Sequence, residues 1–129
     1  MELKARVIKK GKVKGKALVS KEPISFFGCI DMKTGVIKEK GHELEGKSIK
    51  GKILVFPYGK GSTVGSYALY RLKRNNVAPK GIINKECEPI IAIGAIISGI
   101  PCVDKVKIEK IKNNDKVIID GNKVIIEKK

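Results

Sequence analysis

The 129-residue sequence has no tryptophan, one histidine, and aromatic residues at only 5% of its positions. Its core must therefore be assembled from aliphatic side chains, chiefly isoleucine and valine, a composition that leans towards strands. Cysteine is scarce as well. Cys29, Cys87 and Cys102 stand 58 and 15 residues apart, in no C-x-x-C or Cys/His pattern. An odd count without ligand spacing points to reduced thiols used for packing. The longest apolar stretch, PIIAIGAIISGIP, is too short to span a bilayer and holds two glycines. Residues 1–20 form a charged, alternating segment in place of the apolar stretch of a secretory signal. A soluble, cytoplasmic protein is expected. With His42 as the one histidine and no G-x-S-x-G elbow, a Ser-His-Asp hydrolase has little support.

Basic residues are abundant: 28 Lys plus Arg against 13 Asp plus Glu, a net charge of +15. Such a balance suits nucleic acid, an anionic substrate or an acidic partner. The distribution argues against nucleic acid. Arginine occurs only at positions 6, 71 and 74, and no aromatic residues interleave with the basic ones to stack bases. The lysines alternate with apolar residues in VIKKGKVKGKALVSK and VDKVKIEKIKNNDKVIIDGNKVIIEKK, which puts them on the wet faces of strands. A surface rich in lysine and isoleucine also fits a heat-adapted organism.

The length matches one domain, 1–129. LKARVIK and KGKALVS read as a strand pair linked through KGKVKG. Residues 21–51 are rich in glycine, lysine and short polar clusters, and should hold long loops with short strands near CIDM and GVIKEK. KILVFP is almost continuously apolar, as a strand buried on both faces would be. TVGSYALYRLKRNN carries Val64, Ala68, Leu69 and Leu72 at helical spacing and ends in basic residues that complement a helix C-terminus. KGIIN reads as a second buried strand, EPIIAIGAIISG as a helix packed through small residues, and PCVD as a third strand. Alternating strands and helices imply a parallel sheet with right-handed crossovers. KVIIDGNKVIIEKK is a hairpin with Asp120-Gly121 in its turn. An α/β fold follows: a three-layer β/β/α sandwich with a small parallel sheet plus an antiparallel one.

Between KILVFP and its helix lies GKGSTVGS, where Gly59, Gly61 and Gly65 surround Lys60, Ser62 and Thr63. Ligands of parallel α/β sheets bind beyond the carboxyl ends of the strands, and a glycine-rich turn lets backbone N–H groups approach an anion there. The loop has neither G-x-x-x-x-G-K-[ST] nor G-x-G-x-x-G order, so ATP or NAD is not expected. The plainer reading is that Ser62 or Thr63 caps the helix and the glycines punctuate the loop. In the chemical reading, a serine hydroxyl acts as a base only where donors stabilise its alkoxide; a helix N-terminus, exposed amides and Lys60 would supply them.

FPYGKGSTVGS, NKECEPIIAIGAIISGIPCVD and LVSKEPISFFGCIDMKTGVI together resemble the small subunits of the aconitase X family, and within it the archaeal dehydratases that act on phosphomevalonate. The resemblance runs from about Gly15 to Asp104. It implies a swivelling β/β/α domain, and a hydro-lyase that dehydrates (R)-5-phosphomevalonate to trans-anhydromevalonate 5-phosphate in the archaeal mevalonate route to isoprenoids. The implied partner is a large subunit whose cysteines hold a [4Fe-4S] cluster, with no cofactor or metal on this chain. By motif match Ser62 is the proton acceptor, Gly61 and Thr63 lend backbone donors, and Lys60 meets a substrate carboxylate or phosphate. Many family members carry arginine where Lys60 stands; a lysine offers a point charge instead of a fork.

Ser25, Phe26 and Phe27 admit two readings, one buried ring beside one partly exposed, or a role at the subunit interface or in the substrate pocket. Asn84, Glu86 and Pro89 follow the second buried strand on the loop's edge of the sheet; Glu86 would orient a site lysine if these are not simply solvated positions. Two other functions stay open: an aconitase X-type hydroxyproline dehydratase subunit, and a nonenzymatic basic module holding an anion or RNA.

Overall fold

A computed structural model describes residues 1–60 and 65–127. Its strands are β1 (Glu2–Lys4), β2 (Arg6–Lys9), β3 (Lys12–Val19), β4 (Ile53–Phe56), β5 (Gly81–Asn84), β6 (Cys102–Asp104), β7 (Lys116–Asp120) and β8 (Lys123–Glu127); the helices are α1 (Gly65–Arg74) and α2 (Pro89–Ser98). They are ordered β1-β8-β7-β3-β4-β5-β6-β2 by hydrogen bonding. The strand β3 turns the corner between two sheets. Its first part, Lys12–Lys16, pairs antiparallel with β7, and Ala17–Val19 pair parallel with β4. From β4 the pairing runs parallel through β5 to β6.

The central layer is covered on both faces, which is why its strands read as continuous apolar runs. Leu54, Phe56, Ile82 and Cys102 face a core shared with Leu69 and Leu72 of α1 and Ile91 and Ala95 of α2. Ile53, Val55, Ile83 and Val103 face a second core filled by Val117, Ile119, Val124 and Ile126 of the outer sheet. The layers are therefore outer sheet, central sheet and helices, the β/β/α arrangement expected from the sequence. The outer sheet keeps one wet face, where Lys12, Lys14, Lys16, Lys116 and Lys123 are exposed. Each buried Ile or Val contributes about 1.5–3 kcal/mol. Exposed ion pairs such as Lys14–Glu127 at 3.8 Å and Lys123–Glu2 at 3.9 Å contribute about 0–1 kcal/mol, so the two cores decide the fold.

Both helices follow from their sequences. In α1, Ala68, Leu69 and Leu72 are buried, and Arg71, Lys73 and Arg74 occupy the last turn, where cations oppose the negative end of the helix dipole. Val64 lies outside the described residues. In α2, Pro89 sits in the first turn, and Glu88 caps the helix by accepting from the N–H groups of Ile90 at 2.9 Å and Ile91 at 2.8 Å. Gly99, at φ 68°, closes it. The small residues pack it as expected: a Cβ on Gly94 would stand 3.1 Å from Leu69 Cδ2 and 3.2 Å from Ser66 Cα.

Two local expectations are corrected. The N-terminal residues do not form a strand pair with each other: β1 pairs with β8, β2 pairs with β6, and most of the supposed KGKVKG link is the first half of β3. Alternation shows that a segment is a half-wet strand but not which open edge it joins, and here each sheet offers one. In the C-terminal hairpin Asp120 pairs with Lys123, so the turn is Gly121-Asn122, with Gly121 at φ 57° in the first loop position.

Residues 20–52 lie over the helix-side core as turns and isolated bridges, Ile30 with Ile37 and Val36 with Ser48, burying Ile24, Phe26, Ile30, Ile37, Leu44 and Ile49. His42 fastens this segment. Its Nδ1 accepts from the Leu44 N–H at 3.0 Å, which leaves the ring proton on Nε2, 3.1 Å from the Pro23 carbonyl. Glu43 accepts from the backbone N–H groups of Lys21 and Glu22. Burial alone would raise its pKa, but these bonds and one from Ser20 outweigh it and hold the carboxyl below the usual range.

The sequence reading passed over Asp104, a fully buried carboxylate. It accepts from Arg6 Nε at 2.9 Å, Arg6 Nη2 at 2.8 Å and the Cys87 N–H at 2.8 Å, joining β2, β6 and the segment before α2. Asp104→Ala should lower the unfolding free energy by about 2–4 kcal/mol, because it removes charge-assisted bonds and strands the Cys87 N–H. His42→Ala should lower it by about 1–3 kcal/mol, since two backbone groups lose their partner. Urea unfolding of each variant measures both.

Candidate active site

The carboxyl ends of β4, β5 and β6 are Phe56, Asn84 and Asp104. Parallel pairing puts them on one edge of the central sheet, with the N-termini of α1 and α2. The glycine-rich loop leaves β4 at this edge. Its stem is held from two sides. The Pro57 carbonyl accepts from the N–H groups of Lys85 at 3.1 Å and Glu86 at 3.0 Å, the Ile24 N–H donates to the Tyr58 carbonyl at 3.3 Å, and the Lys60 N–H donates to the Ile24 carbonyl at 3.1 Å. Gly59 presses on the start of α2, where a Cβ would come within 2.4 Å of Ile91 Cγ1 and 2.7 Å of Glu88 Oε1. Only glycine fits that approach. The stem thus brings Lys60 to the sheet edge.

Lys60 is exposed and extends towards Glu39, its Nζ 3.4 Å from Oε1 and 3.4 Å from Oε2. Glu39 also accepts from the Cys29 thiol at 3.1 Å. The thiol bond first, and Lys60 after it, hold the Glu39 carboxyl below the usual carboxylate range against the opposing effect of burial. Burial and the neighbouring carboxylate push the Cys29 thiol up. Gly61, Ser62 and Thr63 lie outside the described residues. The first turn of α1 has no acidic side chain, so nothing on that turn opposes an anion at this helix end. At α2 the Glu88 cap occupies the equivalent donors.

Of the other residues singled out in the sequence, Asn84 is not a solvated loop position. It ends β5 fully buried, its Nδ2 donating to the Phe56 carbonyl at 3.0 Å, while Oδ1 has no partner among the described residues. Asn84 is the last residue of KGIIN, and its polar side chain stays inside with the strand. Glu86 is exposed and pairs with Lys105 at 2.6 Å, not with Lys60. Pro89 opens α2. Phe26 is buried edge-on against Phe56, with ring centroids 6.0 Å apart, whereas Phe27 is 54% exposed. The Ser25 hydroxyl donates to the Phe27 carbonyl at 3.1 Å. Phe27 borders an open cavity of about 470 Å³ with Met32, Lys38, Tyr67 and Arg71 on its walls. Sequence reasoning missed Glu39, which stands 21 positions from Lys60 in a segment without helical or strand periodicity.

Among the described residues no group of three or more His, Cys, Asp and Glu could hold a metal ion. An iron–sulfur cluster takes thiolate ligands; the surroundings of Cys29 and Cys102 favour the thiol over the thiolate. Burial and the Glu39 carboxylate push the Cys29 thiol up. The Cys102 thiol is pushed far up by its hydrogen bond with Cys87 and by burial. Among the described residues no helix is long and apolar enough to cross a membrane.

The family model of the aconitase X swivel domain matches residues 2–128. The phosphomevalonate dehydratase small subunit of Methanocaldococcus jannaschii is 54% identical over 127 residues, 98% of this chain and 97% of that protein. The protein of the same name from Methanosarcina acetivorans is 55% identical, over 98% of this chain and 90% of its own length. The crystal structure of Thermococcus kodakaraensis aconitase X in its holo form superposes with a TM-score of 0.97 at 51% identity, covering 99% of each chain. Matched nearly end to end in sequence and in fold, the chain belongs to the aconitase X swivel domain family.

Proposed function

We propose that this chain is the small subunit of a hydro-lyase that dehydrates (R)-5-phosphomevalonate to trans-anhydromevalonate 5-phosphate in an archaeal mevalonate pathway to isoprenoids. The observation that carries this reading is identity of 54–55% over nearly the whole chain to proteins named phosphomevalonate dehydratase small subunit. The geometry supports it, because the glycine-rich loop leaves from the ligand-binding edge of a parallel sheet on a stem that is anchored at every residue from Pro57 to Lys60.

In this reading residues 1–129 act as one swivel domain in the cytoplasm, and the partner is an aconitase X-type large subunit that carries the [4Fe-4S] cluster. The chain's own contribution is acid–base chemistry and anion binding. Ser62 Oγ takes the proton from the carbon beside the hydroxyl-bearing one; the C–H electron pair becomes the double bond, and the hydroxyl leaves with its bonding pair as hydroxide, which the large subunit's cluster would accept as a Lewis acid. A serine does this only if its alkoxide is stabilised, which is the task of the N–H groups of Gly61 and Thr63 and of the α1 N-terminus. Lys60 offers its ammonium to a carboxylate or phosphate of the substrate.

The native complex, co-purified with its large subunit, should turn over phosphomevalonate and leave hydroxyproline unchanged. The reverse preference would reassign the substrate, and salt-dependent RNA binding by the chain without a co-purifying partner would indicate a nonenzymatic module. Ser62→Ala should assemble normally yet lose turnover by about 10²–10⁴, the range of a general base; near wild-type turnover would remove Ser62 from the mechanism. Lys60→Ala should raise KM by about tenfold or more, as expected for a lost charge-assisted hydrogen bond.

A further inference from the structure

We infer that Glu39 is the positioning residue for Lys60, with Cys29 orienting Glu39 from inside; this rests on the reading of Lys60 as an anion contact. Both ends of the lysine are held. Its backbone N–H donates to the Ile24 carbonyl at 3.1 Å, and its ammonium stands 3.4 Å from each Glu39 oxygen. Without the second anchor a four-carbon stem at the mouth of a loop would sample many rotamers, and each would have to be frozen when a substrate binds.

The carboxylate that does the holding is itself held. The Cys29 thiol donates to Glu39 Oε1 at 3.1 Å. The backbones are tied beside it, since the Lys38 N–H donates to the Cys29 carbonyl at 2.9 Å and the His42 N–H to the Glu39 carbonyl at 3.2 Å. The Glu39 side chain is 27% exposed and that of Lys60 is 45% exposed. The pair is therefore partly dehydrated on the carboxylate side and open on the ammonium side. An ammonium has three protons, and a loose pair to one carboxylate leaves protons free for a second anion. A lysine aimed at a phosphate by a glutamate is the arrangement protein kinases use.

A competing physical effect predicts the opposite sign, which makes the inference testable. If Glu39 merely occupied Lys60 as a stand-in for the substrate, removing its charge would tighten anion binding. If it aims Lys60, removing its charge weakens binding. In the complete enzyme, Glu39→Gln should raise KM for phosphomevalonate about five- to tenfold, as the lysine regains its rotamer freedom, with kcat within about twofold because the base is untouched. The same substitution removes the anion that holds the thiol proton. Alkylation of Cys29 by iodoacetamide, followed by peptide mass spectrometry with Cys87 as internal reference, should therefore accelerate several-fold. Cys29→Ala, which keeps the ion pair but frees Glu39, should raise KM by a smaller factor, and an unchanged thermal unfolding midpoint reports that each variant folds. An unchanged or lower KM in Glu39→Gln overturns the inference, as does Cys29 alkylation at the wild-type rate. A wild-type complex that dehydrates neither phosphomevalonate nor hydroxyproline overturns the functional reading instead, and the alkylation rates still decide whether Glu39 holds the Cys29 proton.

Discussion

Strand β3 is hydrogen-bonded along its length to two neighbours that run in opposite directions, β7 over its first part and β4 over its last three residues. That division makes one strand the hinge line between a sheet with a wet face and a sheet with none. The alternating half of its sequence serves the first, and Ala17, Leu18 and Val19 serve the second. The central sheet then needs cover on both faces, which the outer sheet supplies on one side and α1 with α2 on the other. With both faces taken, the carboxyl edge is where the parallel strands open to solvent, and it is there that the glycine-rich loop emerges.

The same constraint explains how a loop can be held so firmly at its stem. Gly59 sits close enough to Ile91 and Glu88 that any side chain would collide with the start of α2. Glu88, by capping that helix, fixes the wall against which Gly59 packs. On the opposite side Ile24 brackets the stem with two backbone hydrogen bonds, and Ile24 is anchored in turn by burial in the helix-side core. Packing energy from the core is thereby converted into a fixed position for Lys60. Asn84 extends the coupling, because its amide ties the end of β5 to the last carbonyl of β4 immediately before the stem.

Much of this was legible in the sequence, and the limits are instructive. KILVFP, KGIIN and PCVD announced the central strands because burial on both faces removes alternation, and the helices were marked by the helical spacing and basic C-terminus of TVGSYALYRLKRNN and by the small residues of EPIIAIGAIISG. The glycine pattern pointed to the loop. What could not be read were interactions between residues far apart in sequence with no periodic relation. The Glu39–Lys60 pair, the Arg6–Asp104 clamp and the choice of partners for β1 and β2 all belong to this class. Of the two readings of Glu86, a companion to a site lysine or a solvated position, the structure has the second, and a backbone bent back at positive φ carries Lys105 to it. Residues 20–52 were opaque for another reason: their order comes from turns and side-chain caps, not from repeating backbone geometry.

The two outermost strands in the hydrogen-bonded order are β1 and β2, so the first nine residues form both rims of the structure. Each rim is only three or four residues long and carries lysine or arginine, which discourages rim-to-rim association between molecules. The arrangement also separates order of synthesis from order of assembly. Residues 2–9 are synthesised before either partner, so one rim must wait for β6 before it can dock and the other for β8. Until then the N-terminal segment has no edge to join, and the nascent chain completes its two sheets only when the last hairpin has formed.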